Sequence, residues 1–458
     1  MSVAPASLER ALRDRFGAEV VSDGVPASYL TDATEARGLS GRADALALPR
    51  NGEEVAEVVA WCYEQGVSIT PRGGGTGFAG GAVPQGGVVV GLERVRRIRS
   101  LEPLLWRMEA EAGVTTADVR RVARENGLLF PPDPGAAEQS QIGGNVATNA
   151  GGPHAFKYGV TGDWVTGVEV VVAPGELITV GGPIRKDVAG YDLGSLIVGS
   201  EGTLGIVTSV WLRLAPAPEA VAPVVSLHGG TAPGCDALAR IVGSGLPVAA
   251  LDYLDGETLR RSAAAFPVAL GEAGFMILTE VDGSPEEVAR LRQAVIEVLE
   301  EDATSVWAPQ AATEIAALWR WRDGVSLAVQ AERGGKVSED IVVPFERLAE
   351  AIDETLAIGA RHDLAACSWG HAGDGNLHST FLIDPNDDDE RARAERAADE
   401  LFELAARLGG SISGEHGLGL VKGGRLAHQW ALGALSLHAA VKSAFDPKGL
   451  FNPGKKQA

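Results

Sequence analysis

The stretch Val67-Ser68-Ile69-Thr70-Pro71-Arg72-Gly73-Gly74-Gly75-Thr76-Gly77-Phe78-Ala79-Gly80-Gly81-Ala82-Val83-Pro84-Gln85-Gly86-Gly87-Val88-Val89-Val90 decides how the first half of the chain folds. It opens as a short strand, Val67 to Thr70, and runs into a glycine loop. Within the loop, Gly75-Thr76-Gly77-Phe78-Ala79-Gly80 satisfies the spacing G-x-G-x-x-G, which in a dinucleotide fold introduces a helix. None follows: Gly81 to Gly87 is broken by Pro84 and a glycine pair, and Val88 to Val90 reads as a second strand. The spacing thus argues against a nicotinamide-binding Rossmann fold. The backbone amides of such a loop still suit a pyrophosphate, as an anion nest.

Immediately upstream, residues 51–66 have the pattern of an amphipathic helix. Asn51 is placed to cap its start with Glu54 three residues on, Val55, Val58, Val59 and Cys62 form one face, and Gly66 ends it. Downstream, apolar runs such as Val168 to Val172 alternate with Gly/Pro punctuation. The proline-rich Leu214-Ala215-Pro216-Ala217-Pro218 reads as a domain boundary. Beyond it strands (Gly274 to Glu280, Ile341 to Val343) mix with helices (Pro285 to Glu301, Leu435 to Ala444), an α+β second domain.

At 458 residues the chain is too long for one core, and 45% hydrophobic with 22% charged residues is the composition of a folded domain protein. A net charge of −21 without a basic tract argues against nucleic acid as partner. No apolar run reaches the ~18 residues of a membrane span, and Met1 to Ser7 lacks a signal-peptide layout. The expected location is therefore cytoplasmic. Cys62, Cys235 and Cys367 are scattered, which excludes a disulfide frame or an iron–sulfur motif and leaves buried small hydrophobes.

Two stretches carry the chemistry: Trp369-Gly370-His371-Ala372-Gly373-Asp374-Gly375-Asn376-Leu377-His378 and Ser413-Gly414-Glu415-His416-Gly417. They hold three of the eight histidines, two carboxylates and much glycine. Leu364 to Ser368 and Leu377 to Ile383 read as strands with Asp374-Gly375 as the turn between them. That hairpin brings His371 and His378 together, with Glu415 arriving from elsewhere. Two imidazoles and a carboxylate make an open three-ligand site suited to Zn²⁺ or Mn²⁺.

Two more small-residue runs, Gln141 to Gly152 and Gly199 to Val207, suit a flat ring lying against backbone better than a core strand. With the glycine loop, in this order, they make the chain resemble the FAD-linked oxidases of the vanillyl-alcohol-oxidase (PCMH-type) superfamily. Within it, the glycolate oxidase catalytic subunit and D-lactate dehydrogenase group is the nearest likeness. Pro131-Pro132-Asp133-Pro134-Gly135, Lys186 to Leu193, Ser338 to Pro344 and Phe445 to Lys455 carry the resemblance along nearly the whole chain.

The resemblance implies an α+β architecture. A PCMH-type FAD-binding domain would span 1–216, a cap of FAD-linked oxidase C-terminal type 217–434, and a helix and tail, 435–458, would return to the FAD domain. Implied cofactor contacts are Arg72, Gly73, Gly74, Gly75, Thr76, Gly77, Pro132, Asp133, Gly143, Gly144, Asn145, Thr148, Gly151, Glu201, Gly205, Ile206 and Asn452. FAD should be non-covalent, because the loop carries no histidine for flavinylation; His154 is the first residue to suspect otherwise. Metal-using members place ligands at the positions matching His371, His378 and Glu415 and a base at that matching His416, with Asn376 in the same catalytic set. The segments holding Arg322 and Lys336 match those that supply cations for a substrate carboxylate.

The implied function is FAD-dependent oxidation of a D-2-hydroxy acid, glycolate or D-lactate. One alternative is D-2-hydroxyglutarate, for which Arg333 would serve the distal carboxylate. The other is a non-catalytic FAD-binding electron-relay subunit, for which the histidine set would be superfluous. A quinone, a flavoprotein, an iron–sulfur subunit or oxygen is open as electron acceptor. A homodimer and membrane association through a partner are open as well.

Overall fold

The computed structural model describes residues 5–457; the opening Met1 to Ala4, part of the stretch read for a signal peptide, lies outside them. The chain forms two compact units. The first comprises Met1–Gly151, Val160–Ala217 and Glu415–Ala458, and the second Gly152–Gly159 and Pro218–Gly414. One of the divisions falls between Ala217 and Pro218, inside the proline-rich stretch. The return to the first unit begins at Glu415 rather than Leu435, and the short segment 152–159 also belongs to the second unit.

In the first unit Ala45–Ala47, Val88–Gly91 and Ile69–Arg72 form a parallel sheet with Val88–Gly91 in the middle. Helix Gly52–Gln65 lies in the same core, with Val55, Val58, Val59 and Cys62 fully buried. Its ends are set by local chemistry. The Asn51 side chain accepts the Glu54 amide at 2.8 Å, and Gly66 closes it at φ 68. The strand after it begins at Ile69, two residues later than the apolar pattern suggests. The reason is that the Val67 amide is spent on Cys62 O, closing the helix.

After Arg72 the chain turns through residues 73–87 without a helix, as the proline and glycines require. A second, antiparallel sheet runs in the order Ile98–Glu102, Arg107–Glu111, Ile206–Arg213, Val165–Val172, Glu176–Gly181. The Gln141 to Gly152 run contains a short helix, Ile142–Thr148.

The second unit is built on a seven-stranded antiparallel sheet. Its strands are β1 (Ala220–His228), β2 (Ala250–Asp255), β3 (Phe275–Gly283), β4 (Ser305–Trp307), β5 (Gly335–Val342), β6 (Ala366–Gly370) and β7 (Asn376–Ile383). Their order is β4-β1-β3-β2-β6-β7-β5. Side chains two apart share a face, so a core residue identifies its polar neighbours. Leu254, Met276, Leu278, Cys367, Trp369 and Leu382 pack with Leu318, Trp321, Val325 and Val329 of helix Ala312–Ala331. The same face therefore carries Asp252, Glu280 and His378, with Asp340 opposite His378 in register. One end of the face is apolar and covered by a helix, and the other end is polar.

β6 also starts two residues beyond its apolar pattern, because the Leu364 amide closes the preceding helix on Gly359 O. Cys62 and Cys367 are buried as expected, whereas Cys235 is half-buried, and all three are free thiols. Among the described residues no helix is long and apolar enough to cross a membrane. Replacing Asn51 by Ala removes one cap bond, so urea unfolding should show a loss of about 1 kcal/mol. FAD affinity should be unchanged, and Asn51→Asp, which keeps an acceptor, should restore most of the stability.

Candidate active site

The hairpin between β6 and β7 turns through a short 3-10 segment, Ala372–Asp374, with Gly375 left-handed at φ 65. The turn sets His371 and His378 edge to face, with ring centroids 5.4 Å apart. Both imidazoles are buried. A third group comes from the segment after Ser411. Asp340 accepts the Gly414 amide at 2.8 Å and the Ser413 hydroxyl at 3.2 Å, and Glu415 follows Gly414 directly. His371, His378 and Glu415 each present one ligand atom, and these atoms all lie within 4.8 Å of one another. Two nitrogens and an oxygen at that spacing fit a divalent ion such as Zn²⁺ or Mn²⁺.

His416 is not one of that group. Its ring lies against Phe78 of the glycine loop, centroids 4.7 Å apart, and Nε2 is 3.9 Å from Glu415 Oε1. Glu201 fixes the turn that follows: its carboxylate accepts the amides of Leu418 at 2.9 Å and Gly419 at 2.7 Å. At Gly417, φ 81, a Cβ would fall 2.7 Å from Glu201 Oε1, so only glycine brings the backbone in that close. Asn452 completes the arrangement, its Nδ2 donating to Glu201 O at 2.7 Å and Gly81 O at 2.9 Å.

Of the residues expected to contact cofactor, several carry the frame of the loop. The Arg72 guanidinium donates to Ser28 O at 2.6 Å and Thr31 O at 2.7 Å. Asn145 donates to Thr116 Oγ1 at 2.5 Å, and Thr148 to Gly144 O at 3.1 Å. Gly143 and Gly205 are close-packed, a Cβ at each falling within 3 Å of Ala112 or Val171. Ile206 is buried at the start of its strand, Pro132 is buried and Asp133 half-buried. Gly73 approaches Gly144, whereas a Cβ at Gly77 or Gly144 would meet nothing within 4 Å.

Thr70 Oγ1, Gln141 Oε1, Asn452 Oδ1 and Lys455 Nζ are buried in the first unit without hydrogen-bond partners among the described residues. Burial pushes the Lys455 ammonium down to about 8. Open backbone beside unpaired donors and acceptors is what a large polar cofactor such as FAD would satisfy. Lys455 and Gln141 stand inside sequence motifs already singled out, but only their burial marks them.

The expected substrate cations are both in the second unit. Arg322 Nε donates to Asp252 Oδ2 at 2.7 Å, with Nη2 at 2.7 Å from the same oxygen. Lys336 Nζ donates to Ser326 O at 3.1 Å and to its hydroxyl, and sits 5.3 Å from the Trp369 ring centroid. Burial pushes its pKa down to about 8. Asn376 donates to Ile341 O at 3.2 Å, and its buried Oδ1 has no hydrogen-bond partner among the described residues.

Burial opposes ionisation of Asp252, but Arg322 and His371 outweigh it and hold its pKa below the ordinary carboxylate range. No local pattern in the sequence pointed to Asp252, and Asp340 stands inside the quoted motif Ser338 to Pro344 without a role of its own. Arg333 is ion-paired with Glu390, eleven residues along from Arg322, roughly 15 Å of helix and loop. His154 is engaged with Glu280 at 3.0 Å and lies against Trp319.

Residues 43–181 match the FAD binding domain family and residues 218–456 the family described as FAD linked oxidases, C-terminal domain. The chain is 38% identical to the glycolate oxidase subunit GlcD of Bacillus subtilis, over 90% of this chain and 88% of that protein. It is 33% identical to a D-lactate dehydrogenase of Anaerostipes hadrus, over 95% and 94%. The fold is shared with substrate-bound p-cresol methylhydroxylase, TM-score 0.78 at 17% identity, covering 98% of this chain and 96% of that one. With its C-terminal half matched to one family and relatives of this identity spanning its length, the chain belongs to the FAD-linked oxidases.

Proposed function

We propose that the chain oxidises a D-2-hydroxy acid, glycolate or D-lactate, to the 2-oxo acid with non-covalently held FAD as acceptor. The carrying observation is the gathering of His371, His378 and Glu415 within 4.8 Å in a chain similar to enzymes named for glycolate and D-lactate. Bound FAD supplies a two-electron acceptor, and a divalent cation at the three ligands supplies Lewis acidity for substrate oxygen. Arg322, with its Nε edge on Asp252, offers its other edge to the substrate carboxylate, and Lys336 adds positive charge nearby. Asn376 contributes Oδ1 as an acceptor. His416 receives the hydroxyl proton as the C2 hydrogen leaves with its electron pair.

Arg333, held by Glu390, supplies no distal cation, which favours the smaller acids over 2-hydroxyglutarate. A relay subunit without catalysis would have no use for the three buried or half-buried ligands. The similarity to a protein named as a subunit supports a partner that takes the electrons onward. We place the protein in the cytoplasm.

An anaerobic mixture of protein and D-lactate or glycolate should bleach the flavin absorbance. Chelation should abolish that bleaching while FAD stays bound, with Zn²⁺ or Mn²⁺ restoring it; full activity in metal-free protein would return the histidines to a hydrogen-bonding role. His416→Ala should lower kcat by roughly 10²–10⁴-fold with metal and FAD contents unchanged, whereas Glu415→Ala should lose metal. The reverse pattern in metal analysis would exchange the two roles.

Lys336 gives the pH dependence. Its folded pKa is depressed to about 8, so its charge is present below that pH and is lost as pH rises through it. KM for the acid anion should rise on the order of tenfold across this range, the size of one charge-assisted hydrogen bond. The rise should be absent in Lys336→Met; a KM flat from pH 7 to 9.5 in the wild type removes Lys336 from substrate binding.

A further inference from the structure

Asp252 sits on the site face of the sheet with no solvent exposure and has no part in the reaction as described above. Its two oxygens are divided. Oδ1 lies 2.8 Å from His371 Nδ1, and Oδ2 takes Nε and Nη2 of Arg322, each at 2.7 Å. A buried arginine needs a counter-charge wherever it stands, and that need accounts for Oδ2 alone. Oδ1 is aimed at the ring of His371, a member of the three-ligand group. A carboxylate only accepts hydrogen bonds, so the hydrogen sits on Nδ1 and Nε2 keeps its lone pair for a ligand.

We propose that Asp252 is a positioning residue that sets the tautomer and ring direction of His371 for a divalent cation while its second oxygen holds Arg322. The metal ligand and the carboxylate-binding cation are then oriented by a single side chain. The inference rests on the metal reading given under the proposed function. It adds that the ligand depends on a residue 119 positions earlier in the chain, through a hydrogen bond of the kind that tunes metal-bound histidines.

Full-length, FAD-loaded protein stripped of metal is titrated with Mn²⁺, with free ion followed by its electron paramagnetic resonance signal. Wild type, Asp252→Asn and Arg322→Met are compared. Both variants break the Asp252–Arg322 pair and share whatever that costs the fold, but only Asp252→Asn changes the His371 contact. Mn²⁺ affinity should fall roughly 10–100-fold in Asp252→Asn and stay near wild type in Arg322→Met, with FAD content equal in all three.

Wild-type affinity in Asp252→Asn, or an equal loss in both variants, overturns the proposal and leaves Asp252 a structural counter-ion. Should Asp252→Asn fail to fold, ¹⁵N imidazole shifts of metal-free wild type decide instead: the Nδ1–H tautomer of His371 is expected, and the Nε2–H tautomer overturns the proposal. Wild type that binds no Mn²⁺ defeats the metal reading itself, and this inference with it, before any substitution is made.

Discussion

A carboxylate with no access to water, Asp252, holds the polar end of the second unit together. Removing a charge from water costs several kcal/mol unless partners replace its hydration, and here Arg322 and His371 do so from a helix and a hairpin that meet nowhere else in sequence. Once that pair of contacts exists, the hairpin cannot rotate without stranding a charge. The position of His371 is then fixed by electrostatics, and that of His378 by its place in β7. The apolar half of the same face, where Trp321 and Val325 cover Leu254 and Leu278, supplies the burial that makes those contacts strong. Core and site are two ends of one face.

The first unit solves a related problem with backbone rather than side-chain donors. Glu201 is left-handed at φ 55, an uncommon state for a residue with a side chain, and its carboxylate gathers the amides of residues 418 and 419. Lys456 adds a cation at 3.3 Å. The turn after His416 is thereby tied down, and the imidazole rests on Phe78. A residue that the family likeness marks as a cofactor contact thus holds the segment that follows His416. Arg72 and Asn452, marked by the same likeness, are likewise engaged with backbone carbonyls, those of Ser28 and Thr31 and those of Gly81 and Glu201.

Much of the architecture was legible in the sequence because it is local. Asn51, Glu54 and Gly66 specify the ends of a helix through contacts within four residues, and the prolines and glycines after Arg72 forbid a helix there. The hairpin carrying His371 and His378 was readable from alternation and a glycine turn. Where the reading slipped, at Val67 and Leu364, the apolar pattern was right but the amide was already committed to the helix before it. Periodicity reports which side chains are apolar, not which backbone groups are spent.

The sequence by itself determined most element types and the placing of the proline- and glycine-rich turns, since these depend on dihedral preferences of residues close together in the chain. Only the tertiary structure decided how the polar side chains are shared. It placed Arg322 on Asp252, Arg333 on Glu390 and Glu201 under residues 417–419, and it returned the chain to the first unit at Glu415. Such pairings join groups far apart in the chain that meet only once the elements bearing them have packed, and for the buried Asp252 the cost of leaving a charge without partners sets the pairing. No spacing along the sequence encodes them.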